Sequence, residues 1–293
     1  MSIRSASIAA TALLLGLATG VSAAEETPER RTGTFRSAST AVQFSVSPPL
    51  RTIAVKPPPD DGIGGFFGTL MVDPDPPGKL RYGPQDTDLT VQTSRGPVLA
   101  PPPIANFNVG ASTPNPPDPV GDVGPNHYVR MANATFQVFD KSTGLSVFGP
   151  ANINTLFSGF GGACEFENAG DPIVLYDQLA DRWLLTQFSD SAGPTFHNCV
   201  ALSQTSDPLG SWFRWAFNTA TFPDYPKYGV WPNAYLISTR EVNAGVIGAY
   251  AIDRSQMLAG VANPTVIQFV VPVDEFSGDG LLPSDLDGTT PPP

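Results

Sequence analysis

The feature of this 293-residue sequence that most constrains its fold is a unit that occurs three times. Each unit begins at an aspartate and continues with four short runs rich in Val, Ile, Phe, Tyr and Trp, separated by Gly, Pro, Asn and Asp. Such runs are typical of β-strands joined by tight turns. The units span 122–150, 171–217 and 224–271, and a fourth head begins at 284. Their spacing is near the period of roughly 40–50 residues that β-propeller blades show.

The repeated unit predicts an all-β fold, a β-propeller of four-stranded blades. A β-sandwich built from the same strands is the alternative, but it gives no reason for the repeated acid and turn. Three units and a fourth head do not close a ring, because propellers use about four to eight blades. Either strands from the N-terminal region complete the ring or the chain is a truncated piece of a longer protein. We expect truncation, with an open sheet edge that promotes aggregation.

The sequence before the repeats predicts two further segments. Residues 1–24 have a basic start at Arg4, an apolar stretch and a small-residue cleavage site at 21–24, which together indicate a signal peptide. Residues 25–103 are rich in proline and predict a mostly irregular pro-region or linker. Residues 104–293 form the predicted partial propeller. We therefore expect an exported protein, periplasmic, cell-surface or extracellular, without a transmembrane anchor, since no other apolar run is long enough to span a bilayer.

The excess of acidic residues narrows the choice of binding partners. Acidic residues outnumber basic ones 27 to 16, so the surface repels nucleic acid phosphates and anionic lipid. A glycan or a component of the cell envelope stays possible as a partner.

Cys164 and Cys199 predict a disulfide in an oxidising compartment, with two free buried thiols as the alternative.

One segment carries a resemblance to known proteins. The stretch PPDPVGDVGPNHYVRMANATFQVFDKSTG, residues 116–144, resembles the head of a group of exported, largely uncharacterised bacterial β-propeller-like proteins. The stretch GDPIVLYDQLADRWLL, residues 170–185, is more loosely similar to blades of sialidase-like and five-bladed glycosidase-type propellers. The sialidase Asp-box is not met, because the nearest match, 284–288, lacks its Trp. The resemblance implies a propeller fold and export rather than a particular activity.

Common catalytic motifs are absent from the sequence. It contains no HExxH, no Gly-x-Ser-x-Gly elbow and no phosphate-binding loop. His127 and His197 are its two histidines, which excludes a histidine-rich metal site. A serine triad would need one of them, and nothing in the sequence places a serine beside either.

Carboxylates are the remaining candidates for catalysis. In a propeller, successive blade heads converge at the mouth of the central funnel, where two carboxyls could act as in glycosidases. We predict Asp171 and Asp224 as base or nucleophile, and Glu165 or Glu167 as the proton donor. The alternative for each acid is a structural one, in which its side chain accepts hydrogen bonds from a nearby turn.

The face at the mouth of the predicted funnel would also carry ligand-binding residues. Candidates that would line it are Asp122, Tyr225, Tyr228, His197 and Glu241. Asp285 and Asp287 have the alternating pattern of a calcium loop and suggest Ca²⁺ as the one possible cofactor. Most of the tryptophans Trp183, Trp212, Trp215 and Trp231 are expected to pack between neighbouring blades. These features predict a secreted or cell-surface binding or scaffold module, with a carbohydrate-active hydrolase or lyase as the alternative function.

Overall fold

The computed structural model describes residues 33–58, 105–109, 116–189, 193, 195–241, 244–273 and 280–288. The predicted signal peptide and much of the proline-rich region lie outside these ranges. Among the described residues, no helix is both long and apolar enough to cross a membrane.

β-strands are the main regular structure of the described residues. Its strands are β1 Thr34–Thr40, β2 Gln43–Val46, β3 Val120–Val123, β4 His127–Ala132, β5 Thr135–Asp140, β6 Ser146–Asn152, β7 Gly170–Asp177, β8 Arg182–Ser189, β9 Phe196–Ser203, β10 Trp212–Thr219, β11 Pro223–Trp231, β12 Ala234–Glu241, β13 Val246–Asp253 and β14 Thr265–Pro272. Two short helices, α1 Ala163–Phe166 and α2 Arg254–Leu258, and two 3₁₀ turns, Leu50–Thr52 and Ile153–Thr155, complete it. The all-β prediction is confirmed.

The strands form three antiparallel sheets. Sheet 1 has the order β3-β4-β5-β6, sheet 2 the order β2-β10-β9-β8-β7, and sheet 3 the order β1-β14-β13-β12-β11. Each sheet contains one run of four consecutive strands, and the three runs fall on the three repeated units of the sequence. Short turns between alternating apolar and polar residues favour such meanders, because antiparallel neighbours need only a tight connection.

The three sheets stack face to face, with sheet 2 in the middle. One apolar core lies between sheets 1 and 2 and contains Trp183 and Trp212. A second core lies between sheets 2 and 3 and contains Trp215. Trp212 and Trp215 lie on the same strand but on opposite faces, since side chains alternate along a strand. Trp183, Trp212 and Trp215 are fully buried, which confirms their expected role in packing between sheets, whereas Trp231 is only partly buried.

The N-terminal region differs from the expectation of irregular chain over residues 34–46. Strand β1 pairs antiparallel with β14, and β2 pairs antiparallel with β10, so this segment adds the outermost strand to sheets 3 and 2. Further along, the Asn152 amide at the end of β6 donates to the Lys56 carbonyl. Residues 33–58 therefore form a strap across the outer edges of all three sheets. Its strands escape sequence analysis because Thr and Ser dominate β1 and β2 is only four residues long.

The first strands of the three units, β3, β7 and β11, lie side by side, since β7 contacts both of the others. Residues 280–288 lie next to β11. The Leu286 amide donates to the Val230 carbonyl over 2.9 Å, and Gly229 packs so closely on the Ser284 backbone that it leaves no room for a side chain. The predicted fourth head thus lies beside the third first strand.

Candidate functional site

The starts of β3, β7 and β11 share an unusual backbone conformation. Asp118, Asp171 and Tyr225 each precede a proline and have φ values of 36°, 41° and 50°. Positive φ is uncommon outside glycine and costs free energy, so it persists only where the surroundings impose it. On β7 and β11 the strained residue falls within a bulge of the strand pairing. Three separate sheets therefore present the same strained entry at one place.

A side-chain amide joins two of these entries. Asn133, in the turn between β4 and β5, donates from Nδ2 to Asp118 Oδ2 over 2.6 Å and to the Pro116 carbonyl over 3.0 Å. Its Oδ1 accepts the backbone N–H of Asp171 over 2.7 Å. These hydrogen bonds of the Asn133 side chain hold sheet 1 against sheet 2.

The third entry is tied to the second by the backbone. The Tyr225 amide donates to Asp171 Oδ2 over 3.2 Å. Arg240 Nη1 lies 3.8 Å from Asp224 Oδ2, an ion pair of partly exposed side chains. We call this group of residues the head cluster; its members are Asp118, Asn133, Asp171, Asp224, Tyr225, Lys227 and Arg240.

Asp171 and Asp224 of the head cluster are held in an unfavourable environment for negative charge. Burial raises the pKa of Asp171 to about 6, and the charges of Asp224 and then Asp118 act in the same direction. Burial also raises the pKa of Asp224, while the nearby Arg240 guanidinium partly opposes the shift. Perturbed carboxyl groups of this kind concentrate at functional sites.

The cationic and aromatic members sit beside the acids. Burial lowers the pKa of Lys227, and the charges of Asp171, Asp118 and Asp224 partly oppose it. Lys227 Nζ lies 3.4 Å from the centroid of the Tyr225 ring, a cation–π contact. Tyr225 itself is 48% exposed. The head cluster therefore combines partly buried acids with an aromatic ring that solvent reaches, which suits recognition of a polar ligand.

Asp122 lies outside the head cluster, at the end of β3 rather than before its start. Its carboxylate accepts the amides of Val123 and Tyr176 over 2.6 Å each, and so ties β3 to β7. Burial raises its pKa, and the charges of Asp287 and Asp285 add to the effect. Asp285 in turn accepts the Val230 amide over 2.7 Å, and Asp287 accepts Gln178 Nε2 over 3.2 Å. Asp122 thus connects two strands, whereas Asp285 and Asp287 attach the segment 280–288 to β11 and to the turn after β7.

No group of three or more His, Cys, Asp or Glu side chains with the geometry of a metal site occurs among the described residues. The calcium site at Asp285 and Asp287 stays a prediction.

Glu165 is hydrogen-bonded within its own loop. Its two carboxylate oxygens accept the amides of Gly159 over 2.8 Å and Gly161 over 2.6 Å. These bonds hold the pKa of Glu165 below its usual range. A general acid is favoured by the opposite shift, so this environment does not support the role of proton donor, which stays a prediction. Glu167, the other predicted donor, lies just beyond α1, where its carbonyl accepts Gln187 Nε2.

Two of the predicted ligand residues are core residues. Tyr228 is 8% exposed and belongs to the core between sheets 2 and 3. Glu241 is 1% exposed, and its carboxylate accepts Arg36 Nη1 over 2.6 Å and Tyr250 Oη and Gln268 Nε2 over 3.2 Å each. Side chains alternate along a strand, and at these positions on β11 and β12 they point between the sheets. Neither residue type reveals this orientation in the sequence.

His197 lies beside a serine that sequence analysis did not connect with it. Its Nδ1 is 3.3 Å from Ser189 Oγ, because His197 and Ser189 are opposite each other on β9 and β8. Ser189 is fully buried, so its hydroxyl offers no approach to a substrate carbonyl. The predicted disulfide is confirmed: the sulfur atoms of Cys164 and Cys199 are bonded and anchor α1 to β9.

The structure therefore brings together Asp171, Asp224 and Tyr225 of the predicted site. Sequence analysis missed Asp118, Asn133, Lys227 and Arg240. A usable signal was present: the dipeptides Asp118-Pro119, Asp171-Pro172 and Tyr225-Pro226 start at intervals of 53 and 54 residues (171 − 118 and 225 − 171). That spacing is more regular than the spacing of Asp122, Asp171 and Asp224.

No protein-family model matches the sequence, and neither the curated proteins nor the solved structures contain a significantly similar chain.

Proposed function

We propose that this chain is an exported, propeller-type binding module whose ligand site is the head cluster, and that its ligand is a neutral, hydroxyl-rich molecule such as a glycan. The three stacked meanders with adjacent first strands support the arrangement as consecutive propeller blades. The disulfide supports an oxidising compartment outside the cytoplasm.

The observation that carries the proposal is the convergence of three strained strand entries. Asp118, Asp171 and Tyr225 come from three sheets, and each adopts positive φ at the same point of its unit. Backbone strain concentrates at ligand-binding sites, where it pre-organises groups that would otherwise repel one another. Carboxylates accept hydrogen bonds from sugar hydroxyls, and an exposed aromatic ring stacks on the apolar face of a sugar.

A hydrolase is the second candidate, favoured by the pKa of Asp171. A carboxyl with a pKa of about 6 fits a general acid, which must carry its proton near neutral pH. In this version Asp171 donates the proton and Asp224 acts as base or nucleophile. The role of Asp171 is thus the reverse of the one expected from the sequence.

The test is a glycan array probed with the labelled, folded protein, followed by titration calorimetry on any hit. Asp171→Asn keeps the shape of the side chain and removes its charge, and Tyr225→Ala removes the exposed ring. We expect each change to weaken binding at least about tenfold, the loss of one good contact. Asp207→Ala, an exposed carboxylate paired with Arg51, is the matched control and should bind like the unchanged protein.

Binding that survives both head-cluster changes would contradict the proposed site, and an array without any hit would contradict the ligand class. Glycoside hydrolysis assays on the same proteins separate the two functions. Turnover that disappears in Asp171→Asn while binding persists would favour the hydrolase.

A further inference from the structure

The sequence contains five Asp–Pro peptide bonds, which begin at Asp73, Asp75, Asp118, Asp171 and Asp207. Asp–Pro is the most acid-labile type of peptide bond, because the side-chain carboxyl reaches its own main-chain carbonyl and the basic proline nitrogen leaves readily once it is protonated. Such an intramolecular attack gains from the fixed proximity of the two groups. The first two bonds lie outside the described residues, and the other three place the same reaction in three different surroundings.

The backbone at Asp171 is strained and is not part of the strand ladder. Its φ is 41°, a conformation that costs a residue with a side chain free energy. In the register of β7 with β8, Gly170 pairs with Phe188 and Ile173 with Thr186, so Asp171 and Pro172 lie in a bulge. Opening the bond between them relieves the strain and leaves the pairing from Ile173 onward unchanged.

The carboxyl group of Asp171 is weakly held. The Tyr225 amide donates one hydrogen bond to its Oδ2, at the long distance of 3.2 Å. Several short hydrogen bonds would fix a carboxyl group in place and reduce its reactivity, as they do for Asp177 at the other end of β7. The Asp171 side chain is therefore available to its own main chain.

The charges around Asp171 keep a proton on it at mildly acidic pH. Burial, and then the charges of Asp224 and Asp118, raise the pKa of Asp171 to about 6, while the charge of Lys227 opposes them. The remaining charged group of the head cluster, Arg240, lies 3.8 Å from Asp224. At pH 5 most Asp171 carboxyls carry a proton that the leaving nitrogen can take, whereas ordinary aspartates are ionised.

The other two described Asp–Pro bonds lack this combination. Asp207 does not have a positive φ, and its carboxylate pairs with Arg51 and accepts the Leu209 amide over 2.9 Å. Asp118 shares the positive φ, 36°, but its carboxylate accepts Asn133 Nδ2 over the short distance of 2.6 Å. Strain, a weakly held carboxyl and a retained proton thus coincide at Asp171.

We propose that the Asp171–Pro172 bond is an autoproteolytic site, at which the Asp171 side chain cleaves its own main chain. A carboxyl oxygen bonds to the main-chain carbonyl carbon of Asp171, the bond from that carbon to the Pro172 nitrogen breaks, and the carboxyl proton passes to that nitrogen. The products are a five-membered cyclic anhydride at Asp171 and a chain that begins at Pro172. Water then opens the anhydride and leaves Asp171 as a C-terminal residue, so water is the only co-reactant.

The fold keeps the two products together. Cys164 lies before the cleaved bond and Cys199 after it, so the disulfide joins the products covalently. The strap adds to this connection, since β1 and β2 of the first product pair with β14 and β10 of the second. Cleavage therefore converts the chain into a two-chain, disulfide-linked form. This covalent processing goes beyond ligand binding and does not depend on it.

The test is incubation of the purified full chain with protease inhibitors at pH 5 and pH 8, followed by electrophoresis with and without reductant and by intact-mass spectrometry. We expect reductant to release two fragments, one ending at Asp171 and one beginning at Pro172, and hydroxylamine to trap the anhydride as a hydroxamate on Asp171. Cleavage should be at least about tenfold faster at pH 5 than at pH 8, because the carboxyl loses its proton between them. In the folded chain it should exceed cleavage after Asp207 at least about tenfold, and in urea the two rates should become similar.

Two variants test the nucleophile. Asp171→Asn removes the carboxyl, and Asp171→Glu keeps it but requires a larger ring, so both should stop the cleavage. Asp207→Asn, which changes the matched Asp–Pro bond, should leave cleavage after Asp171 unchanged. Near-ultraviolet circular dichroism checks that each variant is folded. A folded chain that stays uncut after Asp171, or that is cut there no faster than after Asp207, would overturn the proposal. So would a cut that persists in both Asp171 variants.

Discussion

The two ends of strand β7 carry the same residue type in opposite circumstances. Asp177, at its C-terminal end, is fully buried and accepts Arg254 Nε and Nη2 over 2.7 and 2.9 Å and Tyr235 Oη over 2.7 Å. Asp171, at its start, accepts one backbone amide at 3.2 Å and faces two other carboxylates. The Asp177 carboxylate has a full set of donors and joins sheets 2 and 3. The Asp171 carboxylate has few donors and is repelled by the neighbouring carboxylates. The comparison shows that one residue type on a single strand can be fully paired at one end and poorly paired at the other.

The largest expected effect is at the satisfied end. Asp177→Ala leaves the Arg254 guanidinium buried without its carboxylate, and we expect the free energy of unfolding to fall by about 3–5 kcal/mol. Urea denaturation followed by tryptophan fluorescence measures this change. A loss below about 1 kcal/mol would remove the contrast between the two ends of β7.

The strap contributes a second ion pair with a buried carboxylate, that of Arg36 with Glu241. Arg36→Met removes the cation that faces the buried Glu241 carboxylate and leaves two weaker donors, Tyr250 and Gln268. Because the Arg36 side chain is 27% exposed, we expect a smaller loss, about 2–3 kcal/mol. Limited proteolysis within residues 33–58 should speed up in the same variant. An unchanged cleavage rate would argue against a role of this pair in holding the strap.

At the start of β7, removing a carboxylate is expected to have the opposite effect on stability. Because the pKa of Asp171 in the folded protein, about 6, lies above the unfolded value near 3.8, protonation favours the folded state. This contribution is fully present below about pH 4 and is lost as the pH rises through about 6. Asp171→Asn should therefore stabilise the protein at pH 8 by about 1–3 kcal/mol and change it little at pH 4. Thermal unfolding at both pH values tests this, and destabilisation at pH 8 would contradict the account of Asp171.

The smallest effect is expected at an exposed ion pair. Arg51 and Asp207 have side chains 54% and 41% exposed, and such pairs contribute about 0–1 kcal/mol. Arg51→Met, the same substitution as at Arg36, should therefore lower the free energy of unfolding by no more than about 1 kcal/mol in urea. A loss as large as that of Arg36→Met would mean that the strap, rather than the buried pair, explains both results.

Local sequence determined much of this protein. Alternating apolar residues and turn residues specify strands and hairpins within about ten residues of chain, so the all-β class and the four-stranded runs are readable directly. The pairing of Cys164 with Cys199 follows from there being only two cysteines in a sequence that predicts export. Alternation along β10 also places Trp212 and Trp215 on opposite faces.

Only the tertiary structure decided which acids meet. Asp122 and Asp171 were equivalent in the sequence repeat, yet Asp118 is the residue that takes the position of Asp171, because the strand bulges and the proline set where each first strand begins. The strap was equally hidden: β1 and β2 pair with strands more than 150 residues away in the chain, and their own residues carry little apolar pattern. Carboxyl pKa values and buried ion pairs depend on such long-range contacts, since charge and desolvation act through space rather than along the chain.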